Sequence, residues 1–113
     1  RPPYSRIFGV IGRFEIKYSM TSIRKIRQKI IDKNYYLSSH AEDEMYDDRL
    51  NRSDIENTIL KGKIIRKLSE DIRGIRYKIE GPAKDGRLVH VICRFKEDGS
   101  LIIITVYALM GEL

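Results

Sequence analysis

The sequence predicts a single α+β domain in which N-terminal helices pack on one face of a four- to five-stranded antiparallel sheet. Three observations predict it. The chain has 113 residues, the size of one domain with one core. Between residues 22 and 62 apolar side chains recur at helical spacing, and after Gly62 the apolar period falls to two. Hydrophobic residues make up 42% and charged residues 34% of the chain, a balance that fills a core and solvates a surface, which disordered chains lack.

Residues 1–19 begin Arg1-Pro2-Pro3 without an initiating Met, ahead of Met20, and read as a leader or appended extension. Within them Arg13-Phe14-Glu15-Ile16-Lys17-Tyr18 alternates charged and apolar side chains, the period of an edge strand. The domain proper then occupies residues 20–113. Ile23, Ile26, Ile30 and Ile31 mark an amphipathic helix whose polar face carries Arg24, Lys25, Arg27 and Lys29. Asn34-Tyr35-Tyr36-Leu37-Ser38 reads as a turn and a short strand. Ser39 with Glu42 fits a capping box that opens a second helix, with Ala41 and Met45 turned inward. Ser53 with Glu56 repeats the signal, and Gly62 closes the third helix after Ile55, Ile59 and Leu60. Strands follow at 63–69, 75–81, 87–96 and 101–109. The segments Gly81-Pro82-Ala83-Lys84-Asp85-Gly86 and Glu97-Asp98-Gly99-Ser100 supply the turn chemistry of an antiparallel meander.

The net charge is +6 with a pI near 9.5, which makes a polyanion the first partner to consider. Residues 1–19 and 63–113 each carry +3, while residues 20–62 are neutral. In that neutral middle Glu42, Asp43, Glu44, Asp47 and Asp48 form an acidic cluster, so nucleic acid should approach the other side. Cys93 is the only cysteine. It forbids an internal disulfide and a cysteine-pair zinc site, fits a reducing compartment, and reads as core filler. The chain lacks the run of roughly 18 apolar residues that crosses a bilayer, and no signal-peptide core is visible. A cytoplasmic protein with no membrane partner is expected.

The period of two sorts the sheet into faces. Ile75, Tyr77 and Ile79, then Val91, Cys93 and Phe95, then Ile102, Ile104 and Val106 form an apolar set that faces the helices. The opposite set holds Arg76 and Lys78, then His90 and Arg94, then Thr105 and Tyr107. It brings a histidine, a tyrosine and several cations onto adjacent strands.

The stretch Ser39-His40-Ala41-Glu42, then Arg49, Ser53-Asp54-Ile55-Glu56, Gly62, Arg76-Tyr77, Gly81, His90-Val91 and Thr105-Val106-Tyr107 resembles the domain of unknown function family 4258 (DUF4258), over about residues 35 to 109. The resemblance implies kinship with the RelE-type toxins and other small ribonucleases of the same helix-then-sheet, RelE- or barnase-like core. It implies a toxin-like endoribonuclease of a type II toxin–antitoxin system. The implied protein partner is a cognate antitoxin, of the zinc-finger or helix-turn-helix kind.

The residues support that chemistry independently. A metal-independent ribonuclease needs a base for the ribose 2′-OH, a cation for the phosphorane and an acid for the leaving 5′-oxygen. His90 can be base or acid, Arg76 can clamp a phosphate, and Tyr107 can donate a hydrogen bond or a proton. His40, from the motif that carries the resemblance, is the second titrating group. Lys78, Arg94 and Thr105 on the same face, and Arg49 beside it, are the expected RNA contacts. No cofactor enters this reading. His40 and Glu44 could face one ion, but the sequence offers no second histidine at a matching offset, so no metal ligand is assigned.

The same residues have plainer readings. His90 can be a hydrogen-bonded strand residue, His40 a partner of Glu44 one turn on, and Arg49 a partner of the acidic helix. Thr105 and Tyr107 are ordinary strand formers. A non-catalytic nucleic-acid-binding module and a regulatory protein-binding domain are therefore the two alternatives to the nuclease.

Overall fold

The computed structural model of the chain describes residues 22–68, 72 and 74–110, so the expected leader or edge strand in residues 1–19 lies outside them. The first amphipathic stretch forms α1, helical over residues 22–31, and buries Ile26 and Ile30. Ile31 was expected on the same stripe but is 60% exposed, because the next residue after Ile30 points to another side of the helix. Lys33 closes α1 at φ 58°, with the Asn34 N–H donating to the Lys29 carbonyl at 2.8 Å. This is the hydrogen-bond pattern of a Schellman cap.

A short strand β1 (Tyr35–Leu37), helix α2 (Ser39–Asp47) and helix α3 (Arg52–Lys61) follow. Both expected capping boxes are displaced. The N-cap of α2 is Ser38, whose hydroxyl accepts from the Ala41 N–H at 2.9 Å. Ser38 qualifies because its N–H is held on the Ile103 carbonyl and its backbone is still extended. In α3 the box is Asn51 with Asp54, since Ser53 already lies inside the helix and Glu56 is drawn to Lys33 and Tyr35. Ile55 and Ile59 are buried as expected, whereas Leu60 is 39% exposed.

Strands β2 (Lys63–Leu68), β3 (Arg76–Pro82), β4 (Leu88–Phe95) and β5 (Leu101–Ala108) form the expected antiparallel meander. The sheet as a whole is mixed, in the order β1-β5-β4-β3-β2, because β1 pairs in parallel with β5. The expectation of a wholly antiparallel sheet fails at this pair, and the cause lies in α2. β1 pairs with Leu101, Ile102 and Ile103. Beyond that point α2 takes over the same edge: the Ser38 hydroxyl donates to the Ile104 carbonyl, the Glu44 carboxylate accepts from the Val106 N–H, and the Asp48 carboxylate accepts from the Ala108 N–H, each at 2.9 Å. Ten helical residues rise about 15 Å, and four strand residues about 13 Å. These contacts match only if the chain runs straight from β1 into α2 alongside β5, which makes β1 parallel to it.

All three helices lie on the inner face of the sheet or along its β5 edge, and the core joins Ile26, Ile30, Ile55 and Ile59 to Tyr77, Ile79, Val89, Val91, Cys93, Leu101, Ile103 and Val106. On β5 the expected inward set was Ile102, Ile104 and Val106, yet Leu101 and Ile103 are buried and Ile102 and Ile104 are not. A bulge explains the change. Ile92 pairs with Thr105 and Cys93 with Ile103, so Ile104 is an extra residue and the inward parity switches there.

Helix α3 sits close against β3. A Cβ on Gly81 would lie 2.2 Å from the Thr58 carbonyl oxygen, and one on Gly62 would lie 2.4 Å from the Glu80 carbonyl oxygen. The Thr58 hydroxyl and the Asn57 amide both donate to the Pro82 carbonyl. Arg27 of α1 donates to the carbonyls of Ile59 (3.3 Å) and Gly62 (2.7 Å) at the C-terminal end of α3, where unpaired carbonyls and the helix dipole favour a cation. Among the described residues no helix is long and apolar enough to cross a membrane.

Two outcomes follow for stability. Gly81→Ala forces the α3 backbone away from β3, an overpacking change expected to cost about 1–3 kcal/mol, read as a lower urea midpoint with an unchanged slope. Tyr35 donates to Glu56, and burial followed by that hydrogen bond pushes its phenol up from 10.0 to about 12. An unfolded tyrosine ionises near 10, so this contribution is fully present below pH 10 and is lost as the pH rises towards 12. The gap in melting temperature between the wild type and Tyr35→Phe should therefore narrow over that window.

Candidate functional site

The outer face of the sheet is left uncovered by the three helices, and its middle carries a continuous row of side chains. Closing the β3–β4 hairpin at Pro82 and Leu88 places Glu80 directly opposite His90, and the β4–β5 register places Tyr107 on the other side of it. The three side chains meet. His90 Nε2 is 3.0 Å from Glu80 Oε2, and His90 Nδ1 is 3.0 Å from the Tyr107 hydroxyl. The imidazole and phenol rings pack edge to face, with centroids 5.3 Å apart.

This geometry assigns the proton positions by chemistry. A carboxylate only accepts, so Nε2 carries the hydrogen that goes to Glu80. In the neutral imidazole Nδ1 then accepts from the Tyr107 O–H, and in the imidazolium it donates to the phenol oxygen instead. The row is a continuous hydrogen-bonded relay whose outer end is the Tyr107 hydroxyl. The His90 side chain is only 11% exposed and both of its nitrogens are engaged. His90 is thus enclosed between Glu80 and Tyr107 on the outer face.

Cations surround the relay. Lys78 is the next outward residue before Glu80, and its ammonium lies 5.9 Å from the centre of the Tyr107 ring. Arg76 and Arg94 are direct cross-strand partners on the same face, and Lys63 and Arg66 of β2 stand opposite Glu80 and Lys78. The face therefore carries a concentration of positive charge beside the hydrogen-bonded row. Thr105 lies on this face opposite Ile92. The outward positions of Arg76, Lys78, His90, Arg94, Thr105 and Tyr107 match the expectation from alternation.

His40 and Arg49 fall elsewhere. His40 is on α2, 3.2 Å from Glu44, with its side chain 65% exposed, and no contact joins it to the relay. Its partner Glu44 is the residue that holds the Val106 N–H. Arg49 closes α2 at φ 56°, with the Leu50 N–H donating to the Met45 carbonyl. Its carbonyl, with that of Asp48, accepts from Arg87 at 3.0 and 2.7 Å. Its described role is to terminate a helix, at the lip of a cleft of about 660 Å³ shared with Arg87, Leu88 and Met110. Cys93 is buried, and desolvation pushes its thiol up to about 12, which suits a core filler. Among the described residues no three His, Cys, Asp or Glu side chains converge as a metal site would require.

Glu80 was missed by sequence reasoning, although a signal for it existed. It shares the outward parity of Arg76 and Lys78, and folding the 82–88 turn would have set it across from His90.

The relay assignment is testable by NMR. In the wild type the neutral His90 ring should be the Nε2–H tautomer and should remain so in Tyr107→Phe. Glu80→Leu should release it and cost about 1–3 kcal/mol for the orphaned donor. A His90 tautomer indifferent to Glu80 would dissolve the relay.

A family profile described as a domain of unknown function (DUF4258) matches residues 37–108. No curated protein and no solved structure matches the chain. The profile spans the strand β1 end, α2, α3 and the whole meander, including every residue of the relay, and the chain belongs to the DUF4258 family.

Proposed function

We propose that the protein is a toxin-like, metal-independent endoribonuclease that cleaves RNA through the ribose 2′-OH. The observation that carries this reading is the Glu80–His90–Tyr107 relay set among the cations of the sheet face opposite the helices. With RNA on this face, the Tyr107 oxygen takes the proton of a 2′-OH while its own proton passes to His90 Nδ1. The imidazolium so formed stays oriented by Glu80, as in any relay whose base is held by a carboxylate. The freed 2′-oxygen attacks phosphorus as the bond to the 5′-oxygen breaks; the 5′-oxygen takes a proton from solvent and the imidazolium returns its proton to solvent through Tyr107, leaving a 2′,3′-cyclic phosphate and a 5′-hydroxyl. Lys78, whose ammonium lies against the Tyr107 ring, stabilises the charge that develops on the phosphorane; Arg76 and Arg94 hold neighbouring phosphates. His40 and Arg49 have no part in the proton transfer.

A free nuclease of this kind endangers its host. Its partner would be a cognate antitoxin whose acidic segment covers the same cations, with association slowing as salt rises.

Removing one proton-transfer group should cost roughly 10²–10⁴ in rate. Tyr107→Phe and His90→Ala should lose that much cleavage of a single-stranded RNA while still binding it, and wild-type cleavage should persist in excess chelator. A 2′-deoxy residue at the cut site should stop cleavage and preserve binding. Full activity in Tyr107→Phe, or cutting of the deoxy substrate, overturns the mechanism; wild-type binding without any cleavage favours the plain nucleic-acid-binding module.

A further inference from the structure

Among the described residues, Tyr36 is an aromatic side chain on this face that the relay does not use. It is the middle residue of β1, paired in register with Ile102. Its neighbours Tyr35 and Leu37 turn inward, and Tyr36 itself is 52% exposed. The Lys96 ammonium lies 4.6 Å from its ring centre. From Ile102 the next residues across the outer face are Arg94 and Arg76. Along β5 the sheet carries Ile102 and Ile104 outward, then Thr105 and Tyr107, on the order of 15 Å from one tyrosine to the other at strand spacing.

The Lys96 ammonium lies over the Tyr36 ring, and Arg94 and Arg76 follow across the next strands. Flat apolar rings interleaved with cations are what an unpaired nucleic-acid strand requires: the cations follow its phosphates, and the ring stacks on a base of any identity. A duplex offers its bases no such access.

We propose that Tyr36 is a stacking platform for an unpaired base, so that the substrate is single-stranded RNA lying across the outer face from Tyr36 to Tyr107. This rests on the ribonuclease reading and specifies its substrate class. The platform lies more than one nucleotide from the reacting hydroxyl, so the strand is held at both ends of its path. Lys96 and Arg94 meet the phosphates beside the stacked base, and Arg76 with Lys78 meet those nearer the relay.

The test uses fluorescence anisotropy with a labelled 2′-O-methyl oligonucleotide of about eight residues, within the usual span of a single-strand site, which cannot be cut through the 2′-oxygen. A second probe has the same backbone without bases. The wild type should prefer the base-bearing strand by about tenfold. Tyr36→Phe should keep the preference, because the ring remains. Tyr36→Ala should lose it and bind both probes as the wild type binds the abasic one, with an unchanged melting temperature confirming the fold. Equal loss in Phe and Ala, or a preference that survives in Ala, overturns the platform while leaving the ribonuclease reading intact. Failure of the wild type to bind either strand overturns both. A wild-type dimer in sedimentation that Tyr36→Ala dissolves assigns the face to a second copy of the chain and overturns the platform as well.

Discussion

The free edge of β5 sets the plan of the molecule. A strand flanked on one side only exposes a line of donors and acceptors that must be paired, covered or hydrated. Here β1 pairs with the first part of that edge and α2 covers the rest with a hydroxyl and two carboxylates. Everything upstream is constrained by that handover. β1 must be parallel, α2 must begin at Ser38, and two members of the acidic cluster, Glu44 and Asp48, are committed to backbone amides. An acidic helix beside a basic sheet is thus a consequence of pairing requirements, and it leaves the positive surface on the far side of the sheet.

The relay inherits its rigidity from the same sheet. Glu80, His90 and Tyr107 are cross-strand neighbours on three adjacent strands, so their spacing is that of the hydrogen-bonded ladder and not of a loop. Proton transfer tolerates little error in distance, and groups mounted on strands hold position better than groups on connections. The β5 bulge contributes as well. It inserts Ile104 and restores the parity that points Tyr107 outward while Leu101 and Ile103 point inward.

The fold was legible wherever periodicity alone decided it. The helix and strand positions, the end of α3 at Gly62 and the meander follow from apolar spacing and turn residues. What was not legible depended on partners remote in sequence. The parallel β1 pairing rests on contacts between residues 35–48 and 101–108; the true caps rest on where β1 ends; the bulge adds one residue without altering composition, so Ile102 and Ile104 looked as inward as Val106. The site divides in the same way. Arg76, Lys78, His90 and Tyr107 share a face by alternation and were found, whereas Glu80 needed the hairpin register. His40 and Arg49 entered through a motif, and the motif marks the seam between α2 and β5 at least as much as it marks chemistry.

Arg27 alters what counts as one unit of this protein. The segment recognisable as DUF4258 starts at residue 37, ten residues after Arg27, yet the guanidinium of α1 closes the end of α3, and Ile26 and Ile30 fill the core beneath the sheet. The unit that is inherited as a recognisable sequence is smaller than the unit that folds. Any relative that keeps the shared segment and changes its preceding helix must find another cation for those carbonyls and another apolar surface for the inner face.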